Sequence, residues 1–281
     1  MKILLTGASG FTGRHFIKQA EAQGHQLVPL EADLTDREAI RQGLDSLAFD
    51  AVVHLAAISF VGHADDNAFY AVNTVGTTHL LLALSMLSTK PRRVLLASSA
   101  NVYGNCEESP IAEDQLPTPV NHYAMSKLAM EYMARTYSDR LPIIITRPFN
   151  YTGVGQSPDF LIPKLVGHFK ARSATIELGN LHVEREFNDV RMVCDAYLRL
   201  LSEGQPGETY NICSGRPYTL QTAIDMLIEL TGHNPEIRVN PKFVRQNEVV
   251  RLCGDPAKLD AVTGDRPGFS LRETLVWMLD S

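Results

Sequence analysis

Short apolar blocks alternate along the first half of the chain with longer stretches in which apolar and polar positions interleave at helical spacing. The blocks in "KILLTG" (2–7), "GHQLVPLEADL" (24–34), "DAVVHLAA" (50–57), "RRVLLASSA" (92–100) and "PIIITRPFN" (142–150) predict buried strands. Between them, residues 13–22, "DREAIRQGL" (36–44), "NAFYAVNTVGTTHLLLALSML" (67–87) and 121–138 predict helices, the third of five or more turns. Strands alternating with helices at this pitch imply right-handed crossovers and a parallel sheet. Near-continuous runs such as "VVHLAA" and "IIIT" fit a sheet covered on both faces.

After Asn150 the pattern changes. A glycine-rich loop, "YTGVGQSPDF" (151–160), leads into shorter mixed elements without repeats, low-complexity tracts or a linker. The expected architecture is α/β: a Rossmann-type doubly wound parallel sheet with a smaller, interleaved C-terminal α/β substrate lobe. The first unit is expected to span 1–152 with a returning segment near 187–213, and the second 153–186 plus 214–281. Ligands of such sheets bind beyond the carboxyl ends of the strands, so the loops after "KILLTG", "VVHLAA", "LLASS" and "ITRPF" should converge there.

Composition narrows the function. A net charge of −6 over 281 residues, with no block of five like charges, argues against a nucleic-acid surface. The four cysteines, Cys106, Cys194, Cys213 and Cys253, form no C-x-x-C pair, and the nine histidines show no metal-binding spacing, so no metal is expected. The opening apolar run is three residues long, too short for a signal peptide or a membrane span, and a cytoplasmic location is the simplest expectation.

Gly7, Gly10 and Gly13 place G-x-x-G-x-x-G between the first strand and the first helix. There glycines let the backbone approach a pyrophosphate while the helix N-terminus offers N–H donors. Glu31, at the end of the second strand, lies where an acid would take a ribose 2′-hydroxyl; Arg14 could instead meet a 2′-phosphate. NAD and NADP both remain open. Asp33 could face the adenine edge or simply hold a turn. In "NHYAMSK" (121–127), Tyr123 and Lys127 are four apart and share one helix face. A neighbouring ammonium favours the phenolate, so Lys127 is expected to draw the pKa of Tyr123 down toward working pH.

Six pieces in order, "TGASGFTG", "HLAA" (54–57), "VNTVGT" (72–77), "SSANVYG" (98–104), "YAMSK" (123–127) and "RPFN" (147–150), resemble the extended short-chain dehydrogenase/reductases, and the resemblance covers essentially the whole chain. The second half, through "RPFNYTGVGQ", "LGNLHVEREFNDVR", "YNICSG" and "VRQNEVVRLCGDPAKL", is similar to the branch of that family that reduces GDP-6-deoxy-4-keto-mannose to GDP-D-rhamnose.

The resemblance implies an NAD- or NADP-dependent enzyme with Ser99, Tyr123 and Lys127 as catalytic residues. Dinucleotide contacts would come from Gly7, Gly10, Phe11, Thr12, Gly13, Arg14, Glu31, Asp33, Leu34, Leu55, Ala56, Ala57, Asn73, Tyr123 and Lys127. A nucleotide sugar, GDP-linked by preference, would meet Ser59, Ser99, Asn150, Lys164, Arg185, Arg245 and Glu248, the arginines on its diphosphate. The family's dehydratases carry an acidic pair where this chain has Ala100 and Asn101, so water elimination is not expected. Reduction of a C4 ketone leads, with a 4-epimerase holding its NAD tightly and a non-catalytic dinucleotide-binding sensor or scaffold as alternatives. The family also implies a homodimer through helices 66–88 and 121–138, which carry Leu80, Leu81, Leu84, Met125, Met130 and Met133.

Overall fold

The computed structural model describes residues 1–45, 47–181, 183–243 and 249–281. The first half runs β1 (Lys2–Thr6), α1 (Phe11–Ala22), β2 (Gln26–Leu30), α2 (Arg37–Asp45), β3 (Ala51–His54), α3 (Asp66–Phe69), α4 (Thr77–Met86), β4 (Arg93–Ala97), α5 (His122–Arg135) and β5 (Ile143–Pro148). Next come β6 (Tyr151–Thr152), α6 (Leu161–Lys170), β7 (Thr175–Leu178), β8 (Glu184–Glu186) and β9 (Asn188–Asp189). Then α7 (Val190–Glu203) and β10 (Thr209–Ile212) return to the first sheet.

That sheet has the order β10-β5-β4-β3-β1-β2, and every pair is parallel. Alternate side chains enter opposite cores. Ile3, Leu5, Val53 and Leu95 pack with α1 and α7, whereas Leu4, Val52, Val94 and Leu96 pack with α2, α4 and α5. With both faces buried, polar alternation would leave unpaired polar groups inside, and each buried aliphatic side chain instead contributes about 2 kcal/mol. The order in which strands are added reverses at β1, which lies between β2 and β3, so the loops after β1 and β3 open a crevice at that point.

The long helix expected over 67–87 is one continuous rod with a flaw. Between α3 and α4 the residues Tyr70–Gly76 wind as a wider π-helical segment. Gly76 sits so close to Leu34 that an added Cβ would lie 2.7 Å from the leucine Cβ, and the widened turn contains Asn73. Such bulges occur inside helices where a side chain must be re-aimed, and Asn73 is buried and turned to the loop after β3.

The remaining elements are β11 (Pro217–Thr219), α8 (Leu220–Thr231), β12 (Glu236–Val239), β13 (Arg251–Leu252), α9 (Ala257–Thr263) and α10 (Leu271–Leu279). β12 pairs with β7, and β8 lies between β11 and β13. Ile162, Leu165, Phe169, Ile176, Leu227 and Leu275 form a separate core beneath these elements. Buried Glu186 ties them to the sheet side, accepting from the N–H groups of Ser214 and Gly254. No helix among the described residues is long and apolar enough to cross a membrane.

Candidate active site

A cleft of about 1010 Å³ runs from the glycine loop past the ends of β4 and β5 to the second core. At its first end Gly7 has φ +73°, a left-handed conformation suited to glycine, and an added Cβ would lie 2.7 Å from the Ala56 nitrogen. Gly13 lies against the carbonyl oxygens of Gly7 and Ala8, leaving no room for a side chain. α1 starts at Gly10 with no side-chain cap and no acid in its first turn, so its leading N–H groups are unclaimed by side chains. These features fit the pyrophosphate of a nicotinamide dinucleotide. Thr12 is held by a 2.8 Å hydrogen bond to the Tyr151 hydroxyl, and Phe11 stacks on the Tyr151 ring, which fixes the helix start against the cleft floor.

The expected dinucleotide contacts divide. Gly7, Gly10, Phe11, Thr12, Gly13, Leu55 and Ala57 line the cleft with Tyr123 and Lys127. Arg14, Glu31, Asp33, Leu34, Ala56 and Asn73 lie outside its lining. The Arg14 guanidinium donates to the carbonyls of Ser9 (2.6 Å) and Gly155 (3.1 Å). Asp33 accepts from the backbone N–H and hydroxyl of Thr35, bonds that hold its carboxyl below the usual range and close a turn. Leu34 is a core residue, and Glu31 is exposed. Asn73 grips the loop after β3: its Oδ1 accepts from the Ile58 N–H, and its Nδ2 donates to the Ile58 carbonyl and to Ser126.

Tyr123 and Lys127 stand one turn apart on α5, whose start is capped by Asn121 accepting from the Ala124 N–H at 2.8 Å. Both are buried, and Lys127 Nζ donates to the Ala97 carbonyl at the end of β4 (2.8 Å). Burial lowers the Lys127 pKa to about 8, with the Glu131 carboxylate opposing the shift. The Tyr123 phenol does not follow the expected direction: burial raises its pKa, and a hydrogen bond with Ser99 only partly opposes this. Desolvation wins because the phenolate, the charged form, loses most by leaving water. The phenol is therefore kept protonated at neutral pH.

Ser99 follows β4 and caps the short 3-10 turn Ala100–Tyr103. Ser98, its neighbour, is committed elsewhere, donating to the Glu131 carboxylate. Glu131 in turn forms a buried two-pronged ion pair with Arg147 (2.6 and 3.0 Å). Arg147 also donates to the Tyr103 hydroxyl, which donates to Asn211 on β10. This polar network beneath the site was not legible in the sequence, although an arginine inside the apolar run "IIITRPF" was the available signal. His54 is buried between the hydroxyls of Thr6 and Thr77, and burial lowers its pKa to about 3, so it is a neutral structural link. His122 bonds Tyr70 and faces Asp66 at the surface.

Of the expected sugar-nucleotide contacts, Ser59, Ser99, Asn150, Lys164 and Arg185 all line the cleft. Lys164 donates to the Glu177 carbonyl and lies 4.3 Å over the Phe243 ring. Arg185 donates to the backbone carbonyls of Val249 and Val250. Arg245 and Glu248 fall outside the described residues. Sequence reasoning missed Phe60 and Phe160, which meet edge to face across the cleft with centroids 5.9 Å apart. Each stands in a loop, where no periodicity marks it. Among the described residues no group of three or more His, Cys, Asp and Glu is placed to hold a metal ion.

A family profile described as GDP-mannose 4,6 dehydratase matches residues 15–278. The chain is 40% identical to a GDP-6-deoxy-D-talose 4-dehydrogenase of Aggregatibacter actinomycetemcomitans, over 96% of this chain and 94% of the relative. It is 34% identical to a GDP-6-deoxy-D-mannose reductase of Pseudomonas aeruginosa, over 98% and 94%. Among solved structures it is similar to RMD from Pseudomonas aeruginosa complexed with NADPH, with a TM-score of 0.92 and 32% identity over 99% of this chain and 97% of the other.

Proposed function

The chain belongs to the GDP-mannose 4,6-dehydratase family, and we propose that it reduces the C4 ketone of GDP-4-keto-6-deoxy-mannose, giving GDP-D-rhamnose. Its class, an NAD(P)-dependent oxidoreductase acting at C4 of nucleotide-linked sugars, follows from that kinship. One observation carries the finer reading: Ser99, Tyr123 and Lys127 meet at a single cleft, while Ala100 and Asn101 offer no acid or base for removing water.

Held at the glycine loop of Gly7, Gly10 and Gly13, a reduced nicotinamide dinucleotide would supply the hydride for C4. Tyr123, held protonated by burial, gives its proton to the ketone oxygen, so the ketone becomes a secondary alcohol. Ser99 donates a hydrogen bond to the same oxygen as negative charge develops there. Lys127, one turn along the helix, offsets the transient phenolate charge, and solvent restores the phenol proton. Lys164, Asn150, Ser59 and Arg185 are assigned to the nucleotide sugar, supported by their common place along the cleft. Residues 1–152 with 187–213 are assigned to the dinucleotide and the rest to the sugar nucleotide. We place the enzyme in the cytoplasm, in keeping with its four free cysteines, and infer a homodimer.

The reading predicts that GDP-4-keto-6-deoxy-mannose plus NADPH or NADH consumes the absorbance of the reduced cofactor. Tyr123→Phe should cut kcat by about 100-fold or more while leaving dinucleotide affinity, read by fluorescence, within about twofold. No absorbance loss with either cofactor overturns the proposal. The 40% identical talose dehydrogenase supports a second product, since talose is the C4 epimer of mannose. The H3–H4 coupling in the proton spectrum separates them: large for GDP-D-rhamnose, small for GDP-6-deoxy-D-talose.

A further inference from the structure

Two N–H groups converge on the Ser99 hydroxyl oxygen. The Asn101 backbone N–H donates to Oγ over 3.2 Å, and the Asn101 carboxamide Nδ2 donates to the same atom over 3.1 Å. A serine hydroxyl has two acceptor lone pairs and one hydrogen. With both lone pairs taken, only the hydrogen is left, and it must find an acceptor. Nearby groups narrow the choice. Ser98 is bound to Glu131, and Ala100 is buried among apolar side chains. The Tyr123 phenol shares the cleft with that hydroxyl, and its interaction with Ser99 favours the phenolate against the effect of burial.

We propose that Asn101 is a positioning residue: its carboxamide occupies the second lone pair of Ser99 and fixes that hydroxyl as a donor to the reacting oxygen. Tyr123 then has no serine lone pair to donate into, so its proton stays available for the substrate. The backbone N–H alone cannot do this, because it fills one lone pair and leaves the other free to accept from Tyr123. Asn101 lines the cleft beside Ser99 and Tyr123, so the effect acts where the ketone must sit. This inference rests on the reductase reading for its kinetic test but not for its spectroscopic one.

In the reduction assay Asn101→Ala should lower kcat about 10-fold with KM and dinucleotide affinity within about twofold, a smaller loss than removal of a direct oxyanion donor. Asn101→Asp, equal in size, should lower kcat about 100-fold, because a carboxylate accepts from Ser99 and draws its hydrogen away from the substrate. In a Ser99→Ala background Asn101→Ala should add nothing, since it acts only through that hydroxyl. Multiplying losses, or a raised KM with unchanged kcat, would overturn the assignment. The second test needs no substrate. The Asn101 side-chain amide protons, identified by their loss in Asn101→Asp, should move upfield in Ser99→Ala as their acceptor disappears. Unmoved resonances refute the hydrogen bond and the inference with it. If the wild-type protein reduces no 4-keto sugar nucleotide, the reductase reading falls, and the amide shift still decides the role of Asn101.

Discussion

At the scale of single residues the site depends on two groups whose charge is set by burial. Lys127 is a cation in a desolvated place, with one carbonyl acceptor and the Glu131 carboxylate to offset the cost. Its folded pKa, about 8, lies below the ordinary lysine value of 10.5. Below pH 8 both states hold the proton and the folded state bears the full penalty. Between 8 and 10.5 the unfolded chain binds more protons, so the stability contributed by this group rises with pH. Lys127→Met removes the titration. The stability of wild type relative to Lys127→Met should therefore increase by roughly 3 kcal/mol between pH 7 and 10.5, read from urea midpoints of the two proteins at each pH. A pH-independent difference would mean that Lys127 titrates at its ordinary value. The same desolvation acts in the opposite sense on Tyr123, raising it, and suits the proton-donor role proposed for it.

At the scale of elements, α5 is joined to the sheet by charge as well as by apolar packing. Glu131, one turn beyond Lys127, holds Arg147 of β5 and Ser98 at the end of β4. Arg147 then reaches Tyr103 of the turn that starts at Ser99. α5 and the serine turn are thus clamped by one buried ion pair. Glu131→Gln leaves the guanidinium buried without its counter-charge, which costs about 3–5 kcal/mol and should lower Tm by on the order of 10 °C. Glu131→Gln together with Arg147→Met should recover much of that loss, whereas Arg147→Met alone should not. Additive losses in thermal melts would show that the two residues act independently. None of this pairing was legible in sequence, because an ion pair between a helix and a strand sixteen residues away leaves no periodic trace. Strands and helices were legible because burial on both faces writes continuous apolar blocks. The π-helical turn at Tyr70–Gly76 was not, since it keeps the apolar content of the helix and changes only its winding. At the adenosine end spacing proposed Glu31, which is exposed, and sequence neighbourhood proposed Arg14 and Asp33, which bond the carbonyls of Ser9 and Gly155 and the Thr35 turn.

At the scale of the molecule, a two-fold interface would use Met125 but not the leucines and Met130 that the apolar content suggested. Leu80, Leu81, Leu84 and Met130 are buried against the sheet, so they stabilise the subunit itself. The outward faces of the same helices carry Val75 (46% exposed), Met86 (70%), Met125 (43%) and Tyr132 (64%). The π-helical segment and α4 pack beside the adjoining α5 on one flank of the sheet. Four large apolar groups at those exposures are costly to leave in water and fit a self-complementary contact about a two-fold axis. In such a contact each residue enters twice, so one introduced charge becomes two like charges in an apolar seam. Sedimentation at micromolar concentration should give about twice the 31.1 kDa chain mass for the wild type, and Met125→Glu should shift it to one chain mass with the far-ultraviolet spectrum unchanged. A wild-type protein sedimenting at 31.1 kDa overturns the dimer. A Met125→Glu protein that stays dimeric moves the interface away from this flank. Tyr123 and Lys127 lie on the inner face of that same α5, so a monomeric variant also measures whether pairing helps hold that face in place: equal kcat in the two forms would show that the Glu131–Arg147 clamp is enough.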